Sequence, residues 1–161
     1  MLYCYGLGVA QDYAEAANWF RKAADQGNAD AQNCLAVLYE RGQGVAKDYA
    51  QAAHWYRKAA DQGNAAAQFG LARFYAQGHD YAQAVSWCSK SAEQGFPLAQ
   101  FNLGVLYDEG QGVAQDHAQA VAWYRKAADQ IPWGMKAAAG CQESLRSRDG
   151  RTIHRAVCHS C

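Results

Sequence analysis

One stretch, Asp48 to Gly63 (DYAQAAHWYRKAADQG), returns along the chain at Asp12 to Gly27, at Asp80 to Gly95 and, more loosely, at Asp116 to Ile131. The tryptophans inside the copies, Trp19, Trp55, Trp87 and Trp123, are spaced 36, 32 and 36 residues apart. Self-similarity at a few tens of residues marks a unit that cannot bury its apolar face alone and must stack on the next one. The chain is thereby restricted to a linear array. Such an array offers repeated surfaces rather than one central core, which makes catalysis a poor expectation.

Each copy opens on an aspartate, with Glu15, Gln51, Gln83 or Gln119 three residues later. Asp as N-cap with Glu or Gln at the third helical position is the capping-box pattern, in which each side chain bonds an orphan backbone N–H. Helices are therefore expected to begin at Asp12, Asp48, Asp80 and Asp116. In the first of them Tyr13, Ala16, Phe20, Ala23 and Gly27 fall on one helical stripe, with Ala17, Trp19 and Ala24 beside it. Tyr, Ala and Trp are expected to hold the stack. Arg21-Lys22, Arg57-Lys58 and Arg125-Lys126 lie off the stripe and read as a solvated face. Gly27, Gly63 and Gly95 suit the C′ position, where positive φ is needed, and Asn28 and Asn64 follow as candidate N-caps.

The other helix of each pair reads ADAQNCLAVLYER (29–41), AAAQFGLARFYAQ (65–77) and PLAQFNLGVLYDE (97–109). Ala31, Leu35, Leu38, Tyr39 and their counterparts step i, i+4, i+7, i+8 and form its packing stripe. Ala36, Ala72 and Gly104 sit where a neighbouring helix must approach closely. The following loop, Gly42-Gln43-Gly44-Val45-Ala46-Lys47, recurs as Gly110-Gln111-Gly112-Val113-Ala114-Gln115 and is cut to Gly78-His79 in between, which accounts for the spacing of 32. The fold expected is an all-α solenoid of about four helix-pair repeats of 32–36 residues, in units 1–27, 28–63, 64–95 and 96–131. The first unit is expected to be truncated, because Leu2-Tyr3-x-x-Gly6-x-Gly8-Val9 matches Leu38-Tyr39-x-x-Gly42-x-Gly44-Val45. The start, MLYCYGLGVAQDY, has neither the basic region nor the continuous apolar run of a signal peptide. No segment reaches the roughly 18 to 20 apolar residues of a membrane span.

After Gln130 the pattern fails. Ile131 replaces the terminating glycine, Pro132 follows, and Ala139 stands at the aligned leucine position. Residues 132–161 are expected to supply a divergent capping helix, Met135 to Arg148, and a mobile tail. Residues 1–131 carry 10 Lys/Arg against 13 Asp/Glu, a net of −3, while residues 132–161 carry 5 against 2, a net of +3. A weakly acidic array lacks the Lys and Arg that bind phosphate backbones, so no nucleic-acid partner is expected. The cysteines Cys4, Cys34, Cys88, Cys141, Cys158 and Cys161 occupy no equivalent repeat positions. The first three read as small buried residues rather than a disulfide framework. Cys141, His154, Cys158, His159 and Cys161 are zinc-ligand types, but only Cys158-x-x-Cys161 has the spacing of a ligand pair. No metal or cofactor is expected.

With Ala-Gln, Leu-Gly/Ala, Leu-Tyr, Gly-x-Gly-Val, Asp-Tyr, Trp-Tyr-x-Lys-Ala-Ala and Gln-Gly in order, residues 1–131 resemble the Sel-one-like repeat (SLR) family, relatives of tetratricopeptide repeats. The resemblance implies a right-handed α/α superhelix acting as a scaffold or adaptor for other proteins. Bacterial members are often linked to signalling, envelope processes or host interaction, eukaryotic ones to quality control of membrane and secretory proteins. A second implication comes from cysteine-rich members described as penicillin-binding proteins or weak β-lactamases. Those carry paired, periodic cysteines, and this chain does not. Open solenoid ends also imply weak self-association.

Motifs for chemistry are absent or ordinary. The Gly-x-Gly loops follow a helix and lack the third glycine and the lysine of a nucleotide loop, so a tight turn is the better reading. Neither Ser-x-x-Lys nor Gly-x-Ser-x-Gly occurs. His54 takes the place of Asn18, Ser86 and Ala122 and reads as a surface residue; His79 and His117 lie in or beside loops without a carboxylate at a recurring offset. The positions left free by the repeat are Asn33/Phe69/Phe101, Val37/Arg73/Val105 and Glu40/Ala76/Asp108, stepping i, i+4, i+7. By the family resemblance this is the concave, partner-binding face, carried by Asn33, Val37, Glu40, Phe69, Arg73, Phe101, Val105 and Asp108. Phe and Arg are favoured at interface centres, although phenylalanines can equally pack between units. Phe69→Ala or Arg73→Ala is expected to weaken a partner without lowering stability; a large loss of melting temperature would put Phe69 in the core.

Overall fold

The structure, a computed structural model, describes residues 12–130. Seven helices follow one another: α1 Tyr13–Asp25, α2 Ala29–Arg41, α3 Tyr49–Asp61, α4 Ala65–Gln77, α5 Tyr81–Glu93, α6 Pro97–Glu109 and α7 His117–Asp129. There is no strand among the described residues. The expected capping helix and tail of residues 132–161, and the truncated start, lie outside them.

Local chemistry sets these boundaries. Asp12, Asp48, Asp80 and Asp116 each accept the N–H of the third helical residue, at 3.0, 3.0, 3.2 and 3.0 Å. The other half of the capping box is taken over by tertiary contacts in three cases. The N–H groups of Asp48, Asp80 and Asp116 donate to the carbonyls of Tyr39, Tyr75 and Tyr107 in the preceding helix, not to a glutamine side chain. Asn28 and Asn64 cap α2 and α4 through their side chains, whereas α6 begins with Pro97 behind an uncapping Phe96. Gly27, Gly63 and Gly95 hold φ of 90°, 89° and 87°, a conformation that Cβ-bearing residues avoid.

The helices pack chiefly on their neighbours in sequence, most extensively α2 on α3, α4 on α5 and α6 on α7, the partners joined by the Gly-containing loops. One core of buried alanines, Leu35, Leu71, Leu103 and Leu106, with Trp55, Tyr56 and Trp87, runs through the stack. Trp55 and Trp87 are buried, whereas Trp19 is 56% exposed. Trp87 is roofed by Arg57 of the preceding unit, 5.1 Å above its ring, and the residues that would precede Trp19 in this way are not described. The Gly-x-Gly loop is a packing device. A Cβ on Gly44 would lie 2.2 Å from the Tyr13 carbonyl, and one on Gly112 2.4 Å from that of Tyr81, so each loop rests on the start of a helix in the previous unit.

A polar chain joins the units. Buried Gln32, Gln68 and Gln100 donate to the last-turn carbonyls of Ala24, Ala60 and Ala92, groups a helix end otherwise leaves orphaned. Each then accepts from the glutamine that ends the next Asp-capped helix, Gln62, Gln94 or Gln130.

Candidate protein-binding face

The columns left free by the repeat lie on α2, α4 and α6, each helix held by its stripe of buried Ala and Leu. On α2, Asn33, Val37 and Glu40 are half-buried. On α4, Phe69 is half-buried and Arg73 exposed, and on α6 Phe101 and Asp108 are exposed with Val105 half-buried.

The structure brings two of these residues together across units. Arg73 donates from Nη2 to Glu40 Oε1 at 2.8 Å, and Tyr56 Oη donates to Glu40 Oε2 at 2.7 Å. Burial, and then the bond to Glu40, push the Tyr56 phenol well above its ordinary range. Arg73 is thus engaged within the array. Phe69 lies 5.5 Å from the ring of Phe96, in the next unit's entry turn, and packs against the core. Phe101 differs: it is 53% exposed, with one side against Tyr124 at 5.4 Å. Burial, then Asp108 and Glu109, raise the Tyr124 phenol above its usual value. Asp108 pairs with His117 at 2.6 Å, so that histidine does have a carboxylate partner; both groups are exposed.

Leu98 escaped the sequence reading. It is 57% exposed, three residues before Phe101 and therefore on the same side of α6. Its column, Asp30/Ala66/Leu98, varies as freely as the others, and that was the available signal. The Arg-Lys pairs are exposed as expected, but they are not merely solvated. Lys22, Lys58, Lys90 and Lys126 each lie over the tryptophan three residues earlier, at 4.6, 4.8, 4.0 and 3.8 Å. Arg21 and Arg57 donate to the hydroxyls of Tyr39 and Tyr75.

An open cleft of about 700 Å³ lies between α1, α2 and α3, lined by Arg21, Asp25, Tyr39, Lys47, Asp48 and Trp55 among others. None of the residues expected to bind a partner lines it. Among the described residues no cluster of three or more His, Cys, Asp or Glu side chains is placed to hold a metal. Cys88 is a free thiol, and burial raises its pKa to about 12. The histidines and cysteines of residues 141–161 lie outside the described residues. Among those described, no helix is long and apolar enough to cross a membrane.

Four consecutive Sel1 repeats match the chain, at residues 1–28, 29–64, 65–96 and 97–131. The chain belongs to the Sel1 repeat family. Its fold is similar to the crystal structure of a protective antigen of uropathogenic Escherichia coli strains that displays an SLR fold, at 41% identity and a TM-score of 0.75. That similarity covers 85% of this chain and 30% of the antigen. A Sel1 repeat protein from Oxalobacter formigenes is similar at 38% identity and a TM-score of 0.71, over 80% of this chain and 55% of its own. This Sel1 array therefore spans about a third to a half of the structures it resembles. No curated protein matches it. Sel1 repeats generally mediate protein–protein interactions and typically build non-catalytic scaffolds.

Proposed function

We propose that this Sel1 array is a non-catalytic scaffold that binds a protein or peptide along the concave face formed by α2, α4 and α6. The observation that carries the reading is Leu98 and Phe101, exposed side by side where the repeat leaves the residue free. Large apolar side chains held out on a rigid helix are the usual anchors of an interface. Half-buried Val105 continues that patch along α6, and Asp30, Asn33 and Glu40 make the α2 end polar. The partner is accordingly a segment that places a large apolar residue on α6 and polar groups toward α2.

Peptides selected from a displayed library against the full chain test this. They are expected to carry such an apolar residue and to lose binding to a Leu98→Ser, Phe101→Ser variant whose melting temperature is unchanged. Phe69→Ala serves as the contrast, because it is expected to lower stability. Selected peptides that bind the double variant as well as the parent would remove the face from consideration.

A further inference from the structure

The cleft between α1, α2 and α3 holds two cations that aromatic rings, not acids, keep in place. Arg21 lies 5.7 Å above the ring of Tyr39 and donates to its hydroxyl, and Lys47 Nζ lies 4.8 Å over the ring of Tyr49. Asp25 and Asp48 also line the cleft, but among the described residues neither forms an ion pair with Arg21 or Lys47. Asp48 accepts the Gln51 N–H as the cap of α3, where the helix dipole offsets its charge. Val45 and Trp55 give the cleft an apolar wall.

The equivalent positions at the other two described junctions lack this combination. Between α3, α4 and α5 the loop is only Gly78-His79, and Arg57 reaches across to lie 5.1 Å above the ring of Trp87. Between α5, α6 and α7, Ser89 and Gln115 stand where Arg21 and Lys47 stand here. We propose that the cleft binds an acidic segment of a second protein, with a Glu or Asp carboxylate between Arg21 and Lys47 and an apolar neighbour against Val45 and Trp55. Its volume of about 700 Å³ suits a side chain together with its neighbours. Cations already held in place lose little freedom on binding, and their hydrogen bonds to a carboxylate are charge-assisted. Residues 1–131 carry a net of −3, so this pair of cations decides where on the array an acidic segment can settle. Charge also places the occupant in another protein: residues 1–11 hold no charged side chain, and residues 132–161 carry a net of +3. The cleft shares no residue with the proposed face of α2, α4 and α6 and does not depend on it.

The probe is an acetylated, amidated peptide of sequence Gly-Leu-Glu-Leu-Gly, whose carboxylate is its sole charge. Titrated into the full chain and followed by proton–nitrogen correlation NMR, it is expected to give saturable shifts at the Trp55 indole N–H and at the Arg21 and Lys47 amides. The same peptide with Gln in place of Glu is expected to bind about tenfold more weakly or worse. The double variant Arg21→Ser, Lys47→Gln gives this cleft the residues that the α5–α7 junction carries, and is expected to show the same loss with the rest of the spectrum kept. Lys47→Gln alone, which leaves Arg21 on Tyr39, is expected to weaken binding about threefold. Absence of saturable shifts overturns the proposal, as does equal binding of the Gln peptide or equal binding by the double variant. Inorganic phosphate that saturates the same residues more tightly than the peptide also overturns it, by giving the cleft to a free oxyanion.

Discussion

Glu40, Tyr56 and Arg73 meet at one carboxylate although 16 and 33 residues separate the donors from it in the chain. Their link has a partial trace in the repeat. Tyr56 goes with Glu40, Tyr124 with Asp108, and where the tyrosine becomes Cys88 the acid becomes Ala76. No local rule could have said that this carboxylate also holds Arg73. The pairing has a pH signature. In the unfolded chain the Tyr56 phenol ionises near its ordinary value of 10.0, while in the folded chain burial and Glu40 keep it protonated to higher pH. Its contribution to stability is therefore complete below that value and is lost as pH rises above it. The melting temperature is expected to fall more steeply above pH 10 in the parent than in Tyr56→Phe. Equal slopes in the two proteins would remove Tyr56 as the source.

At the scale of the helix, the boundaries of α1 to α7 were legible because caps and terminators act over three or four residues. The aspartates, the asparagines and the positive-φ glycines all stand where the pattern places them. The reciprocal glutamine bond of the capping box was not legible, because the Asp48 N–H finds the Tyr39 carbonyl at 3.0 Å instead. The two halves of the motif should then differ in energy. Asp48→Ala is expected to cost about 1 kcal/mol, and Gln51→Ala only a few tenths, in urea unfolding. A comparable loss from Gln51→Ala would restore the complete capping box.

Across the whole molecule, cohesion rests on what passes between units: alanine contacts, the glutamine chain, and Tyr56 seated on Gly70. Gly70→Ala would place a methyl group 2.6 Å from the Tyr56 ring. The expected loss is about 1–3 kcal/mol, concentrated at the junction of α3 and α4. In an array whose stability is nearly a sum of unit and interface contributions, weakening one junction lowers cooperativity as well as stability. Tryptophan fluorescence and far-ultraviolet circular dichroism are expected to give coincident urea transitions for the parent and separated ones for Gly70→Ala. Coincident transitions in both would mean that the array unfolds as one unit despite the damaged junction.

The amino-acid sequence by itself determined the repeat, the all-α architecture, the helix limits and the family, because periodicity and capping are written over a few neighbouring residues. Tertiary structure alone decided which members of each repeated set are buried. It exposed Trp19 and buried Trp55 and Trp87, engaged Arg73 with Glu40, seated Phe69 against Phe96, and left Leu98 and Phe101 exposed. Those outcomes depend on which helix covers which. A residue's column in the repeat names its direction, but only the presence of a neighbouring unit says whether that direction is filled.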